Sequence, residues 1–254
     1  MTSNLIPNAK SLYVGGVRLL EPLAHWTGLL SWLGRASQKH RLAHWLRSLF
    51  AIHDIDALIA LDVPWWTYEA IARTEAFLNR TPEARVFEYG SGASTVWLAR
   101  RAGSVVSVEH DESWHCLVAS RLATLDLASG LEHRLVPPVP ADAGTARQYL
   151  SQKPGHAGLS FETYATAILR EGGLFDLIVI DGRARNACLQ HAMTRLAPGG
   201  LILFDNSGRS RYRAAIEGSG MVARRFRGLT PSLPYFEETT VMATGTQGKR
   251  DDAR

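Results

Sequence analysis

Apolar residues recur at helical spacing near the start of the chain, first at Leu23, Trp26, Leu30 and Leu33, then at Leu42, Trp45, Leu46, Leu49 and Phe50. Steps of three and four place each set on one face, which predicts two short amphipathic helices. Their opposite faces carry Arg35, Lys39, Arg41 and Arg47, a pattern that suits a lid, a dimer contact or a helix lying on a membrane surface. Tryptophan and leucine at this spacing usually mark burial, so the expected arrangement is a helical cap docked on the core. Beyond Pro64 the run 65–78 reads as a further helix.

From residue 86 the period changes. Strand-like runs at 86–89, 104–109, 174–180 and 201–204 alternate with helical ones at 94–102, 113–125 and 184–196, and a weaker strand falls at 133–136. Such alternation implies parallel strands joined by crossover helices on both faces, and so predicts an α/β, Rossmann-like, doubly wound fold with a mostly parallel sheet. The runs 221–227 and 238–243 flank a proline-containing loop, 228–235, and are expected to pair as an antiparallel edge. The organisation read from this pattern is a helical N-terminal extension over 1–80, an α/β domain over 81–245, and a disordered tail over 246–254 with no apolar anchor.

Composition changes this picture little. With 254 residues, 46% of them hydrophobic and 20% charged, the chain can bury a substantial core. Cys116 and Cys188 stand far apart in neither metal-ligand nor redox spacing, which argues against a disulfide framework or a zinc site and fits a reducing cytoplasm. Arg18 and Glu21 interrupt the one candidate leader, and no apolar run is long enough to span a bilayer; a soluble or peripheral, cytoplasmic protein is expected. The net charge of +4 is modest, but the basic residues cluster at 35–47, at Arg183 and Arg185, at Arg209, Arg211 and Arg213, and at Arg224, Arg225 and Arg227. That clustering leaves a nucleic acid, a peripheral membrane contact and a homo-oligomer open as partners.

The chemistry concentrates at two strand ends. In Glu88-Tyr89-Gly90-Ser91-Gly92-Ala93-Ser94-Thr95 a strand runs into a glycine turn and then a helix, which lets a ligand approach backbone N–H groups closely. The strand 104–109 ends in Glu109, where a carboxylate can accept both ribose hydroxyls of an adenosine cofactor. Glu88 decides between cofactors. A carboxylate beside the first glycine would repel a pyrophosphate, whereas it suits the cationic amino and sulfonium end of S-adenosylmethionine.

On these residues, on Phe175-Asp176-Leu177-Ile178-Val179-Ile180-Asp181-Gly182, and on Leu196-Ala197-Pro198-Gly199-Gly200, the chain resembles the class I S-adenosylmethionine-dependent methyltransferases over about 86–243. The resemblance implies a seven-stranded sheet whose last strand is antiparallel, S-adenosylmethionine as cofactor, and a cofactor site drawn from Glu88, Tyr89, Gly90, Ser91, Gly92, Ser94, Thr95, Glu109, His110 and Asp181. Asp181 with Asp205 and Asn206 also looks like the acidic triad of the catechol and caffeoyl-CoA O-methyltransferases, in which the matching residues hold a divalent metal. Mg²⁺ on three oxygen ligands would lower the pKa of an acceptor hydroxyl and fix its direction. The lysine those enzymes carry just after the first aspartate is absent, and Gly182-Arg183-Ala184-Arg185 follows instead. The rival reading has Asn206 or Ser207 capping the next helix and Asp181 lining the pocket.

Arg183 and Arg185 would emerge beside the transferring methyl group, where they could clamp a carboxylate, phosphate or sulfate on a small-molecule acceptor. Trp65 and Trp66 are candidate pocket walls, and His191 reads as structural. The expected reaction is in-line methyl transfer to oxygen or nitrogen of a small acceptor, with Asp181 as base or metal ligand. RNA methylation and a non-catalytic protein that keeps the fold are the alternatives. Base-amine methylation is disfavoured, because Asp181-Gly182-Arg183 stands where those enzymes carry an Asn/Asp-Pro-Pro-aromatic turn.

Overall fold

A computed structural model describes residues 22–245, apart from positions 25, 38, 53, 128–129, 152 and 154, together with positions 15 and 19. The tail expected over 246–254 lies outside the described residues. Two short helices, α1 (Leu29–Ser37) and α2 (Arg41–Ser48), lead through a 3₁₀ turn into α3 (Ile55–Ala60) and α4 (Tyr68–Arg80). The alternating unit follows: β1 (Arg85–Tyr89), α5 (Ala93–Ala99), β2 (Ser104–Glu109), α6 (Glu112–Leu122) and β3 (Leu131–Leu135). A stretch that carried no sequence expectation comes next, with a two-stranded ribbon of β4 (Val139–Pro140) and β5 (Leu159–Ser160) and the single-turn helix α7 (Glu162–Ala165). The chain then runs through β6 (Phe175–Ile180), α8 (Arg185–Arg195), β7 (Leu196–Phe204), α9 (Ser210–Glu217), β8 (Val222–Gly228) and β9 (Glu237–Ala243).

The sheet has seven strands in the order β3-β2-β1-β6-β7-β9-β8. β9 runs antiparallel to both its neighbours, as the resemblance implied, but it enters between β7 and β8, leaving β8 at the edge. β7 begins five residues before the run 201–204 predicted for it. Phe175 pairs with Leu196 and Leu177 with Leu201, so the proline- and glycine-containing stretch is accommodated as an irregularity in register.

Side chains alternate across the sheet, and each face closes on its own helices. Phe87, Tyr89, Ile178 and Ile180 pack with the helical residues Tyr164, Cys188 and Leu189, while Val86, Leu177, Val179 and Leu203 pack with Trp66, Ile71, Leu78 and Trp97. Trp66 and Trp97 meet edge to face at 5.8 Å. Full burial of rings this large contributes on the order of 2 kcal/mol each. Trp66 is thus fully buried as a packing residue. Because β1 is flanked by β2 on one side and β6 on the other, its C-terminal end is a topological switch point, where α/β sheets bind ligands.

The N-terminal cap differs from its expectation. α2 does dock: Trp45 Nε1 donates to the Leu233 carbonyl at 3.0 Å, and His44 Nδ1 lies 2.8 Å from the Tyr68 hydroxyl. Fully buried Ser48 accepts from Ser232 N at 2.9 Å, while the Ser232 hydroxyl donates to the Ser48 carbonyl at 2.8 Å. Of the apolar set read as buried, however, Leu30 and Leu33 are inside, whereas Leu23, Trp26, Leu42 and Leu46 face outward. Helices this short have one docked face, and leucine and tryptophan occur on both faces. Ser48→Ala strips the buried Ser232 N–H of its acceptor, and a loss of about 1–3 kcal/mol in unfolding free energy is expected from denaturant titration; a loss below about 0.5 kcal/mol would mean that this bond does not hold the cap.

Candidate active site

The glycine turn is built from below. Glu88 is fully buried, and its carboxylate accepts from the Ser94 hydroxyl at 2.5 Å and from the Thr95 and Ser107 hydroxyls at 2.6 Å each. Thr95 Oγ1 in turn accepts from Gly92 N at 3.0 Å, so the acid shapes the turn through the first residues of α5. Burial raises the Glu88 pKa to about 7 against the opposing pull of the three hydroxyls, and Asp181 adds to the rise. In this conformation Glu88 supports the loop and presents no surface to a ligand. The Tyr89 ring faces away, with its hydroxyl donating to the Ala165 carbonyl at 2.8 Å, so only its backbone borders the site.

Gly90 has φ +94°, and a Cβ there would come 2.9 Å from Gly182 N and 3.0 Å from the Asp181 carbonyl carbon. The loops after β1 and β6 therefore touch, which requires glycine at position 90. A Cβ on Gly182 would in turn collide with the buried Tyr164 hydroxyl. Ser91 is held from two sides, its N–H donating to Glu109 Oε2 at 3.0 Å and its carbonyl accepting from Trp114 Nε1 at 2.8 Å. At the end of β2 the other Glu109 oxygen accepts from His110 N at 2.7 Å and Asp111 N at 2.9 Å, and His110 Nδ1 lies 2.7 Å away. Burial opposes ionisation of Glu109, but the bonds and charge from His110 and the Asp111 N–H outweigh it and lower its pKa.

Over this turn lies a cleft lined by Ile55 and Leu58 of α3, Trp65, Ser91 to Ser94, Trp114 and Asp181. Apolar walls, a glycine turn with room beside it (a Cβ on Gly92 would meet nothing closer than Trp114 at 3.9 Å) and acids at two strand ends fit S-adenosylmethionine. The pattern along the chain gave no warning of Ile55, Leu58 or Trp114. Trp114 had a local signal, since Asp111 caps α6 by accepting from Trp114 N at 2.9 Å and so places this ring against the turn.

Arg185 reorganises the other half of the site. It is 5% exposed and donates to Asp181 Oδ1 at 2.7 Å, to the carbonyls of Asp181 at 2.8 Å and Gly182 at 3.0 Å, and to the Asp205 carbonyl. Its guanidinium also lies 3.9 Å from the Asp205 carboxylate. Burial raises the pKa of both acids; Arg185 opposes this for each, and Asp205, whose side chain is the more enclosed, is raised the further. Asp181, whose side chain is 24% exposed and lines the cleft, is the acid that can reach a ligand.

Two expectations are corrected by this arrangement. The triad of Asp181, Asp205 and Asn206 does not fit Mg²⁺, because Arg185 supplies the positive charge between the aspartates and Thr239 Oγ1 donates to Asp205 Oδ1 at 2.8 Å. Half-buried Asn206 sits in a left-handed turn at φ +50°, and neither it nor Ser207 caps α9, which follows Arg209 with no side-chain cap. Nor can Arg185 clamp an acceptor, since its donors are spent on the protein. Arg183 can: it is partly buried, its Nε has no partner, and burial together with Arg185 lowers its pKa. It opens into a cleft of about 290 Å³ whose charged lining is Arg147, Lys153, Arg183, Arg185 and Arg211, with no acid. His191 lies on α8 stacked on Tyr149, as a structural residue would.

A seven-stranded sheet in this order, with a glycine turn closing β1 and an acid closing β2, is the architecture of the class I methyltransferases. Residues 87–207 match the model of a methyltransferase-domain family, so the chain carries a methyltransferase domain, with S-adenosylmethionine as its cofactor. No protein of curated function matches it. Among solved structures it is similar to the O-methyltransferase of tomaymycin synthesis from Streptomyces achromogenes in complex with S-adenosylmethionine, at 19% identity and TM-score 0.52, covering 80% of this chain and 90% of that one. It is also similar to an O-methyltransferase from Bacillus cereus in complex with S-adenosylhomocysteine, at 18% identity and TM-score 0.53, covering 75% and 90%. At these identities the likeness is one of fold.

Glu88 offers a test that needs no substrate. With its pKa raised to about 7, the native protein keeps a proton through a window in which the unfolded chain has released it, so this group's contribution to stability falls as pH rises from the ordinary carboxylate range towards 7. In Glu88→Gln that contribution disappears. The wild-type-minus-variant difference in unfolding free energy is expected to decline from about pH 5 to about pH 8, and a difference that stays flat or grows would show an ordinary carboxylate.

Proposed function

We propose that this methyltransferase acts on an oxygen of a small acceptor that also carries a carboxylate, phosphate or sulfate. The observation that carries the reading is the position of Asp181, which lines the cofactor cleft while its Arg185 partner lines the all-cationic cleft. An acceptor bridging the two would set its anion against Arg183 and its hydroxyl near the exposed acid.

Bound S-adenosylmethionine supplies an electrophilic methyl group on sulfur. The Ser91-to-Ser94 turn, Trp65, Trp114, Ile55 and Leu58 are the residues that would hold it, with buried Glu109 fixing the turn through Ser91 N, and the apolar side chains among them exclude water. Arg183, Arg147 and Arg211 would orient the acceptor through charge-assisted bonds, and one fixed orientation favours in-line attack. The Asp181 carboxylate would accept the proton that the acceptor hydroxyl gives up. Arg185 holds that carboxylate in place.

The test is calorimetric binding of S-adenosylhomocysteine followed by a screen of neutral hydroxyl compounds, hydroxy acids, phosphates and an RNA oligomer. Arg183→Ala is expected to leave cofactor binding unchanged and to raise KM for an anionic acceptor about 10- to 100-fold, the worth of one bond to a charged group. Asp181→Asn should lower kcat by about 10²- to 10⁴-fold, the range of a general base. Preferred turnover of neutral acceptors with Arg183→Ala indifferent, or of RNA, would overturn the acceptor class; folded protein that binds no S-adenosylhomocysteine would overturn the cofactor site.

A further inference from the structure

Large apolar side chains of the N-terminal cap point outward, among them Leu23, Trp26, Leu29, Trp32, Leu42 and Leu46, with Trp26 86% and Trp32 56% exposed. The inner faces of α1 and α2 close on one another through Leu30, Leu33, Ala43 and Phe50, and the Trp45 and Ser48 bonds fix α2 to the loop before β9. The outward face is therefore held in place by the fold and is not a by-product of fraying. Large exposed tryptophans on such a face mark a surface that something covers.

Charge indicates what covers it. Residues 1–53 contain six lysines and arginines (Lys10, Arg18, Arg35, Lys39, Arg41 and Arg47) against a single acid, Glu21, a net +5, while the rest of the chain balances to −1. The whole excess of the protein thus resides in the segment that bears the exposed tryptophans. Arg41 pairs with Glu69 at 2.7 Å, whereas Arg35 and Lys39 are exposed with no acidic partner among the described residues. A second copy is a poor occupant, because a two-fold contact through this face would set the +5 segments against each other. An anionic lipid surface answers both features at once: headgroups neutralise the cations while leucine and tryptophan enter the interface. No helix among the described residues is long and apolar enough to cross a membrane, so the segment would lie on the surface.

We infer that α1, α2 and the residues just before them form a docking face for anionic phospholipid membranes. The inference does not depend on the acceptor or on the cofactor site. It is tested by co-sedimentation of the full-length protein with vesicles of phosphatidylcholine alone or mixed with phosphatidylglycerol, together with tryptophan fluorescence. Binding to the mixed vesicles is expected, with a blue-shifted emission, and at least about tenfold weaker binding in Trp26→Ser/Trp32→Ser, in Arg35→Glu/Lys39→Glu and in high salt. Both double variants alter exposed positions, and unchanged circular dichroism and thermal melts show that each remains folded. Failure of the folded wild type to bind mixed vesicles, or equal binding to neutral ones, overturns the inference. A concentration-dependent dimer in sedimentation, abolished by the tryptophan variant and unaccompanied by vesicle binding, would assign the face to a second copy.

Discussion

The buried guanidinium of Arg185 is the constraint around which the reactive half of the site is arranged. A lone charge at that depth would be prohibitive, and it is tolerated because it faces two carboxyls and three carbonyls at the ends of β6 and β7. The cost fixes a geometry. Asp181 must face Arg185 from the loop that touches Gly90, so the acid at the cofactor cleft is oriented by the same group that backs the cationic cleft. Since one positive charge serves two acids, burial raises both, and Asp205, the more enclosed side chain, is pushed further toward its neutral form than Asp181. Two adjacent strand ends that look alike in sequence thus acquire different electrostatic roles.

A second pair of acids shows environment dividing chemistry in the other direction. Glu88 and Glu109 both lie near the C-terminal ends of neighbouring strands and both are buried. Burial raises Glu88, whose three hydroxyl partners do not offset it and whose neighbour Asp181 adds to it; Glu109 meets backbone N–H groups and His110 and its pKa falls. The raised acid shapes the turn through Ser94 and Thr95, while the lowered one holds it through Ser91 N. Ser91 connects them in space, joined to Glu109 on one side and only three residues before Ser94, which bonds Glu88, on the other. The turn therefore has a defended shape before any ligand arrives, which reduces the ordering cost of binding.

How much of this was legible in the sequence depended on whether the signal was local. A glycine turn after a strand, an acid at the next strand's end and apolar runs alternating with amphipathic ones are each decided within a few residues, and they located the sheet, the turn and Glu109. Arg183 and Arg185 are two residues apart and chemically identical, and only the start of α8 turns one into the protein and the other into a cleft. The cations Arg147 and Lys153 come from the stretch between β3 and β6, which lacks a clear period, although Phe161, Tyr164, Ala165 and Ile168 carry a helical spacing that marks its buried face. At the N-terminus the period correctly indicated helices but not their burial: spacing reports which residues share a face, whereas burial requires a partner for that face.

The N-terminal segment also links regions that the sequence pattern separates. The residues of α3 that wall the cleft over the glycine turn, Ile55 and Leu58, pack with Val96 at the start of the α/β unit, and Ala51 of the 3₁₀ turn joins the same cluster. Immediately before that turn, Ser48 bonds the loop that leads into β9, whose Thr239 donates to Asp205. The cap is thus tied to the cofactor cleft through α3 and to the Arg185 cluster through the strand that inserts beside β7. This attachment runs through α2, and α1 packs on α2 through Leu30, Leu33 and Ala43, so the inner residues of both helices are committed to the protein while their outer leucines and tryptophans stay exposed.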